Sequence, residues 1–267
     1  MNNKYCYLTF LTNSKYIPGL IALIRSLKRV KSKYSLVVCI PAENISLMNA
    51  IEQNSIFRNI IIIRKPLITL PSSLKTFEHW KESFFKLTAA SFVEYDRIVI
   101  LDCDMLVCKN IDHLFDYPSC SAVQDVENIN NPYEKSSRFN SGLLVLEPNM
   151  ETYHKLCENI SIVVQQRNSL DLAVGDQDVF NYTFNKWNLS TNCHLAEKYN
   201  IQWPCFPKYE KDGHILSKDA FIIHFIGPSK PWQDSKKAVF RTLTDLLLDG
   251  KHFRLMFLYC LYLWLCR

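Results

Sequence analysis

The sequence predicts an α/β fold built on a single, mostly parallel central sheet flanked by helices. Strand-like apolar runs bounded by polar or turn residues recur at 5–11, 36–40, 59–64, 97–101, 122–124, 142–146 and 220–225. Helix-period stretches separate most of them, and strand alternating with helix is the pattern of a sheet covered on both faces. A chain of 267 residues with 48% apolar content can bury one substantial core. One domain is therefore expected over 1–250, followed by an apolar tail, 251–267, read as helical.

The first strand runs into Leu11-Thr12-Asn13, a strand-to-helix turn whose polar groups are equally suited to bonding a base or ribose. Helix 17–30 follows, with Pro18 near its start and Leu20, Leu23, Ile24 and Leu27 on one face. Similar spacing marks 84–93 and 153–164 as helical. In sheets of this kind ligands bind at the carboxyl ends of strands, so the polar residues at those ends are where chemistry is sought.

Strand 97–101 ends in Asp102-Cys103-Asp104. As a bare spelling Asp-x-Asp means little among 14 aspartates, and an ordinary solvated strand end has the same look. At the point where a ladder stops, however, both carboxylates can turn toward one cation, and hard oxygens suit Mg²⁺ or Mn²⁺ on a diphosphate. Phe139-Asn140-Ser141-Gly142 reads as a polar turn entering the next strand. Asp176-Gln177-Asp178 follows Gly175 and opens helix-like 179–184, so at least one of the two aspartates is expected to cap that helix. The functional alternative is that Asp176 or Gln177 faces a reacting sugar, where positive charge developing at the anomeric carbon calls for a nearby oxygen.

The last strand carries His224, followed by Phe225-Ile226-Gly227-Pro228-Ser229-Lys230-Pro231-Trp232. A lone strand histidine is usually a hydrogen-bonded core residue. Beside two carboxylates it also makes a mixed N/O metal site, with Lys230 in reach of phosphates and Gly227 permitting close backbone approach. The tail contains a charge-free run of 12 residues, 255–266, too short to span a bilayer, for which about 20 are needed. A core or dimer helix, a membrane-surface anchor and an artefact of the chain end are the readings open to it, and basic Lys251 and Arg254 suit either of the first two.

The net charge of +5 arises from 31 basic and 26 acidic side chains spread along the chain, which gives no field demanding nucleic acid. Ten cysteines without a CxxC pair, several in apolar runs, read as reduced, buried thiols in a cytoplasmic protein. The start of the chain lacks the features of a signal peptide. With six glycines there is neither a GxGxxG nor a P-loop, which disfavours dinucleotide dehydrogenases and P-loop NTPases and leaves a metal ion as the counter-charge for any diphosphate.

In order, Thr12-Asn13 after the first strand, the Lys86 helix before Asp102-Cys-Asp-Met-Leu-Val, Phe-Asn140-Ser-Gly, Gly-Asp176-Gln-Asp and His224-Phe-Ile-Gly-Pro-Ser-Lys-Pro-Trp resemble the glycogenin-like branch of the family 8 retaining glycosyltransferases, from about Tyr5 to Trp232. The resemblance implies a GT-A fold with a Rossmann-like sheet, a UDP-sugar donor (UDP-glucose or UDP-galactose), Mn²⁺ and a hydroxyl acceptor. Position by position, it makes Asp102, Asp104 and His224 the metal ligands. It puts Leu11, Thr12, Asn13 and Tyr16 around the uridine, Gly227 and Lys230 against the diphosphate, and Lys86, Asp125, Asn140, Ser141, Asp176 and Gln177 around the donor sugar, with Asp176 and Gln177 catalytic.

Two departures stand out. Glycogenins carry another Asp three residues before the position of Asp176, where this chain has Ala173, with Asp171 nearby. The glycogenin acceptor-tyrosine segment has no clean match around 199–209. The Gly-Pro-Ser-Lys-Pro-Trp and Asp-Gln-Asp spellings also resemble bacterial galactosyltransferases of the family. Rival readings are a metal-dependent nucleotidyltransferase and a non-catalytic UDP-sugar binding module. Trp187, Trp203 and Tyr209, in the variable region 185–218, are either acceptor-stacking or core aromatics.

Overall fold

A computed structural model of the chain describes residues 4–250 and 252–267. The first half alternates as the sequence predicts: β1 (Tyr5–Phe10), α1 (Ile17–Arg29), β2 (Leu36–Pro41), α2 (Ile45–Glu52), β3 (Ile61–Lys65), the short α3 (Glu78–Lys81) and β4 (Arg97–Leu101). Between α3 and β4 the helix-period stretch is a 3₁₀ helix, Glu82–Ser91, which buries Phe84, Phe85, Leu87 and also Lys86. The second half holds β5 (Met105–Val107), β6 (Ser121–Asn128), β7 (Asn131–Leu146), α4 (Met150–Ser169), α5 (Asp176–Thr183), β8 (His194–Leu195), β9 (Ile201–Gln202), α6 (Phe206–Lys211), β10 (Ile222–His224), α7 (Lys236–Leu248) and α8 (Phe253–Leu265).

The central sheet among the described residues is seven-stranded, in the order β3-β2-β1-β4-β7-β6-β8. β3, β2, β1 and β4 run parallel; β7 is antiparallel to both β4 and β6, and β8 is parallel to β6. Period-2 alternation sends neighbouring side chains to opposite faces. Tyr7, Val99 and Leu101 thus join the α1 residues Leu20, Leu23 and Leu27 on one side, while Cys6, Leu8, Ile98 and Ile100 meet Phe84, Phe85 and Leu87 on the other. β6 and β7 form a long hairpin with register shifts at Gln124 and Val126, and Asn140, Ser141 and Gly142 lie inside β7 rather than in a turn before it. The strand reading stopped short there because polar side chains on a half-open face break the apolar run that marks a buried strand.

A second, three-stranded sheet, β5-β10-β9, takes the strand carrying His224 out of the central sheet. Its outer side is covered by the tail. Leu255, Leu258, Tyr259, Tyr262 and Leu265 of α8 pack with Ala22, Leu106, Ile223 and Phe225, the Tyr262 ring stacks on Phe225 at 4.0 Å, and Arg25 donates to the Leu265 carbonyl at 2.7 Å. Among the described residues no helix is long and apolar enough to cross a membrane.

Candidate functional site

β4 stops at Leu101, and the chain turns through Asp102, Cys103 and Asp104 into β5. β10 pairs antiparallel with β5 so that His224 stands opposite Met105, and the Phe225 amide donates to the Asp104 carbonyl at 2.9 Å. This register brings a histidine from far along the chain onto the two carboxylates. His224 Nε2 lies 3.2 Å from Asp104 Oδ1 and 3.7 Å from Asp102 Oδ2. Gly142 on β7 allows the approach: a Cβ there would stand 2.3 Å from His224 Cε1.

The orientation of the imidazole is set from behind. His224 Nδ1 is 3.0 Å from the Asn200 side-chain oxygen, while the Asn200 amide donates to Asn140 Oδ1 at 2.9 Å. With its oxygen left to accept, Asn200 receives the Nδ1 proton, which leaves Nε2 as the ring atom facing the carboxylates. One ligand atom from each of Asp102, Asp104 and His224 falls within 4.8 Å of the others. Two hard oxygens and one imidazole nitrogen with an ordered partner are a fitting donor set for Mn²⁺ or Mg²⁺.

Cations are placed on both sides of this cluster. Lys230 Nζ donates to Asp104 Oδ2 at 2.6 Å and to the Phe225 carbonyl at 3.0 Å. Buried Lys86 sits 2.7 Å from Asp102 Oδ1 and 3.0 Å from Asp176 Oδ2. Burial favours the neutral Asp104, but His224 and Lys230 outweigh it and hold this carboxyl well below the usual carboxylate range. Asp102 moves the opposite way, because burial outweighs the pull of Lys86 and His224. For Asp176, Lys86 and the hydroxyls of Ser83 and Ser141 overcome burial and lower its pKa, which keeps it ionised at neutral pH. Lys86 is itself raised by its two carboxylates, against a burial effect that would lower it.

α5 begins with Gly175 as N-cap, and the Asp178 carboxylate accepts from the Gly175 amide at 2.8 Å. Asp178 is thus the capping residue of the pair, held also by Arg138 and Arg167, while Asp176 turns into the site and accepts from the Ser141 hydroxyl at 2.9 Å. Gln177 is fixed at both ends: its oxygen accepts from the Ser141 amide at 3.1 Å, and its nitrogen donates to Asp125 at 2.8 Å. Asp125 also accepts from Asn140 at 3.3 Å and from Gln202 at 2.7 Å.

Apart from Asn200, the side chains that make these bonds line one cleft of about 590 Å³, together with Thr12, Tyr16 and Gly227. Gly227 has φ +103°, a left-handed conformation that favours glycine. The Tyr16 hydroxyl, at the cleft wall, is pushed up to about 12 by burial and by the charge of Asp104. Of the residues expected around the uridine, Leu11 and Asn13 have side chains engaged elsewhere. The Leu11 side chain is buried in the core, and the Asn13 carboxamide caps the following turn by accepting from the Lys15 amide. Asp171 is likewise outside the cleft, on the surface and paired with Lys75. Trp187 and Tyr209 are core residues, and Trp203 packs on Phe225 and Tyr259. Asn200 and Gln202 also belong to the site, and their only mark in the sequence is the alternation Asn200-Ile201-Gln202.

The chain matches the family described as glycosyl transferase family 8 over residues 7–236. It is 30% identical over 231 residues to glycogenin-1 of Homo sapiens, covering 85% of this chain and 61% of that protein. It is 29% identical over 266 residues to galactinol synthase 6 of Arabidopsis thaliana, covering 86% of this chain and 74% of that one. The chain thus spans about three-fifths of the length of the human relative. Among solved structures, the galactosyltransferase LgtC in complex with donor and acceptor sugar analogs superimposes with a TM-score of 0.61 at 17% identity, over 90% of this chain and 94% of that one. That likeness gives the sheet and its flanking helices their fold, the GT-A type. By the extent of the family match, the chain belongs to glycosyl transferase family 8.

Proposed function

We propose that the chain is a retaining glycosyltransferase that moves a hexose, glucose or galactose, from a UDP-sugar to a hydroxyl acceptor, with Mn²⁺ held by Asp102, Asp104 and His224. The observation that carries this reading is the joining, in one cleft, of a metal-donor triad flanked by Lys230 with an ionised Asp176 and a doubly fixed Gln177. When bound, the metal supplies positive charge against the diphosphate of the departing UDP. Lys230 adds a point charge there from the loop after β10, and Gly227 lets the backbone come close.

On the sugar side, Asp176 and Gln177 offer oxygens to the positive charge that develops at the anomeric carbon. Lys86 keeps Asp176 charged without occupying both of its oxygens, since its contact is to Oδ2. Retention requires the acceptor hydroxyl to attack from the face on which UDP leaves. The hydrogen-bonded cluster of Asp125, Asn140 and Gln177 in the same cleft offers polar groups to orient that hydroxyl.

Asp176→Asn tests the assignment. UDP binding in the presence of Mn²⁺ is expected to stay within about threefold of the parent, while release of UDP from the UDP-sugar falls at least about tenfold. Undiminished turnover would remove Asp176 from the chemistry. Release of UDP from a panel of UDP-sugars, with and without Mn²⁺, identifies the donor.

A further inference from the structure

The two sides of α8 differ in kind. Its inward side completes the third core cluster and supports the loop after β10: the Tyr259 hydroxyl donates to Asp234 at 3.0 Å, and Tyr262 lies against Trp232 with ring centroids 6.0 Å apart. Its outward side carries Phe253, Phe257, Cys260 and Trp264, and the three aromatic residues are 63%, 62% and 66% exposed. At 3.6 residues per turn these four positions fall within a sector of about 60°, a continuous stripe along a helix of about 20 Å. Neighbouring α7 exposes Phe240 and Leu248 as well. Aromatic exposure on this scale asks for a cover.

The charges around the stripe indicate what covers it. Arg254 at its start and Arg267 just past its end are exposed, neither is in an ion pair among the described residues, and α8 itself contains no acidic residue. If a second copy of the chain covered the stripe by two-fold symmetry, the helices would pair either antiparallel, setting Arg254 beside the partner's Arg267, or parallel, setting each arginine beside its twin. Both arrangements bring like charges together with nothing acidic on α8 to neutralise them. An anionic bilayer surface meets both features at once, taking aromatic side chains at its acyl boundary and cations at its phosphates.

We propose that the outward side of α8 docks on an anionic phospholipid surface, with Phe253, Phe257 and Trp264 in the headgroup-acyl boundary and Arg254 and Arg267 against lipid phosphates. The helix lies in the plane of the surface. Its inward side stays on the protein, so docking leaves the loop bearing Lys230 in place.

The test is co-sedimentation of the full chain with vesicles of equimolar phosphatidylcholine and phosphatidylglycerol, compared with phosphatidylcholine alone. Binding is expected to the anionic vesicles, to weaken as salt is raised, and to drop at least about tenfold in the Phe257→Gln/Trp264→Gln double variant. Both substituted side chains are exposed, so the double variant should keep the parent's thermal unfolding midpoint and its UDP release. A blue shift of tryptophan emission on adding anionic vesicles, absent in Trp264→Phe, supports the same contact without disturbing the helix. Failure to sediment with anionic vesicles, or equal sedimentation of the double variant, overturns the proposal. So does a soluble dimer that the double variant converts to monomer while neither protein binds vesicles, an outcome that assigns the stripe to a second copy.

Discussion

The imidazole Nδ1 of His224 lies 3.0 Å from the side-chain oxygen of Asn200, a residue 24 positions earlier in the chain that touches neither carboxylate of the triad. Partners of this kind fix the tautomer and ring orientation of a metal ligand and are commonly worth ten- to a hundredfold in metal affinity. Asn200→Ala is therefore expected to weaken Mn²⁺-dependent UDP binding by about tenfold or more, read by titration calorimetry at fixed UDP. Asn200→Asp, which keeps an acceptor, should recover part of the loss. An unchanged affinity in the alanine variant would mean that the ring needs no such partner.

Gly142→Ala acts on the same imidazole from strand β7. The added methyl would stand 2.3 Å from Cε1 and 2.8 Å from Nδ1 of His224, so ring or strand must shift. The expected result is a folded protein, destabilised by about 1–3 kcal/mol in urea titration, with its metal-dependent UDP affinity largely lost. Parent-like affinity would show that His224 is more mobile than its packing implies.

Lys86 bridges two carboxylates that burial would otherwise disfavour. Lys86→Met removes the ammonium from both, leaving Asp176 its Ser141 hydroxyl bond and Asp102 the His224 ring at 3.7 Å, and breaking a buried pair in this way commonly costs about 3–5 kcal/mol. A lowered urea midpoint and a loss of turnover are expected together. Adding Asp176→Asn to Lys86→Met should cost less than the sum of the two single changes, because the second substitution removes a charge the first one stranded.

Away from the cleft, Asp112 gathers four donors: the Tyr7 and Ser32 hydroxyls, the Lys33 amide and the Asn110 carboxamide. Burial alone would raise its pKa, but these bonds prevail and lower it from the ordinary 3.8. A carboxyl depressed on folding contributes stability that is complete above the ordinary value and is lost as pH falls through the folded one. Asp112→Asn should thus lower the melting temperature at neutral pH and flatten its decline below about pH 4. A decline as steep as the parent's would place the acid sensitivity elsewhere.

Asp171 supplies a negative control. Its side chain is 89% exposed and pairs only with Lys75 on the surface. Asp171→Asn should leave UDP release within about twofold of the parent, since exposed pairs of this kind contribute little. A large loss would show that the 171–175 segment reaches the sugar during turnover.

The sequence carries β1, β2 and β4, the largely buried strands of the parallel half, because each is a nearly continuous apolar run, and α1 shows its stripe. It also carries Asp102 and Asp104, which follow such a run directly. The β6–β7 hairpin was legible only at its buried ends, 122–124 and 142–146, since between them side chains face the cleft and the apolar signal stops. Asn200 and Gln202 left almost no trace: two-residue β9 has no pattern of its own, and its place beside β10 is decided by tertiary pairing. Leu11 and Asn13 show a further limit of reading side chains from sequence. Proximity to a ligand-bearing turn says nothing about whether a side chain points into it, and here one packs inward while the other is used up as a cap.

The ion pair between Asp104 and Lys230 closes over 126 residues of chain, and His224 reaches the same carboxylate from almost as far. On a ribosome adding about 5–20 residues per second, the carboxylates precede the histidine and lysine by on the order of ten seconds. For that interval a nascent chain holds two adjacent acidic groups with neither of their later partners, and β4 has its parallel neighbour β1 while β5 has no β10 beside it. The proposed centre is thus assembled only once β10 is in place. On that reading, an intermediate that has completed only the parallel half of the sheet lacks the triad and is catalytically silent.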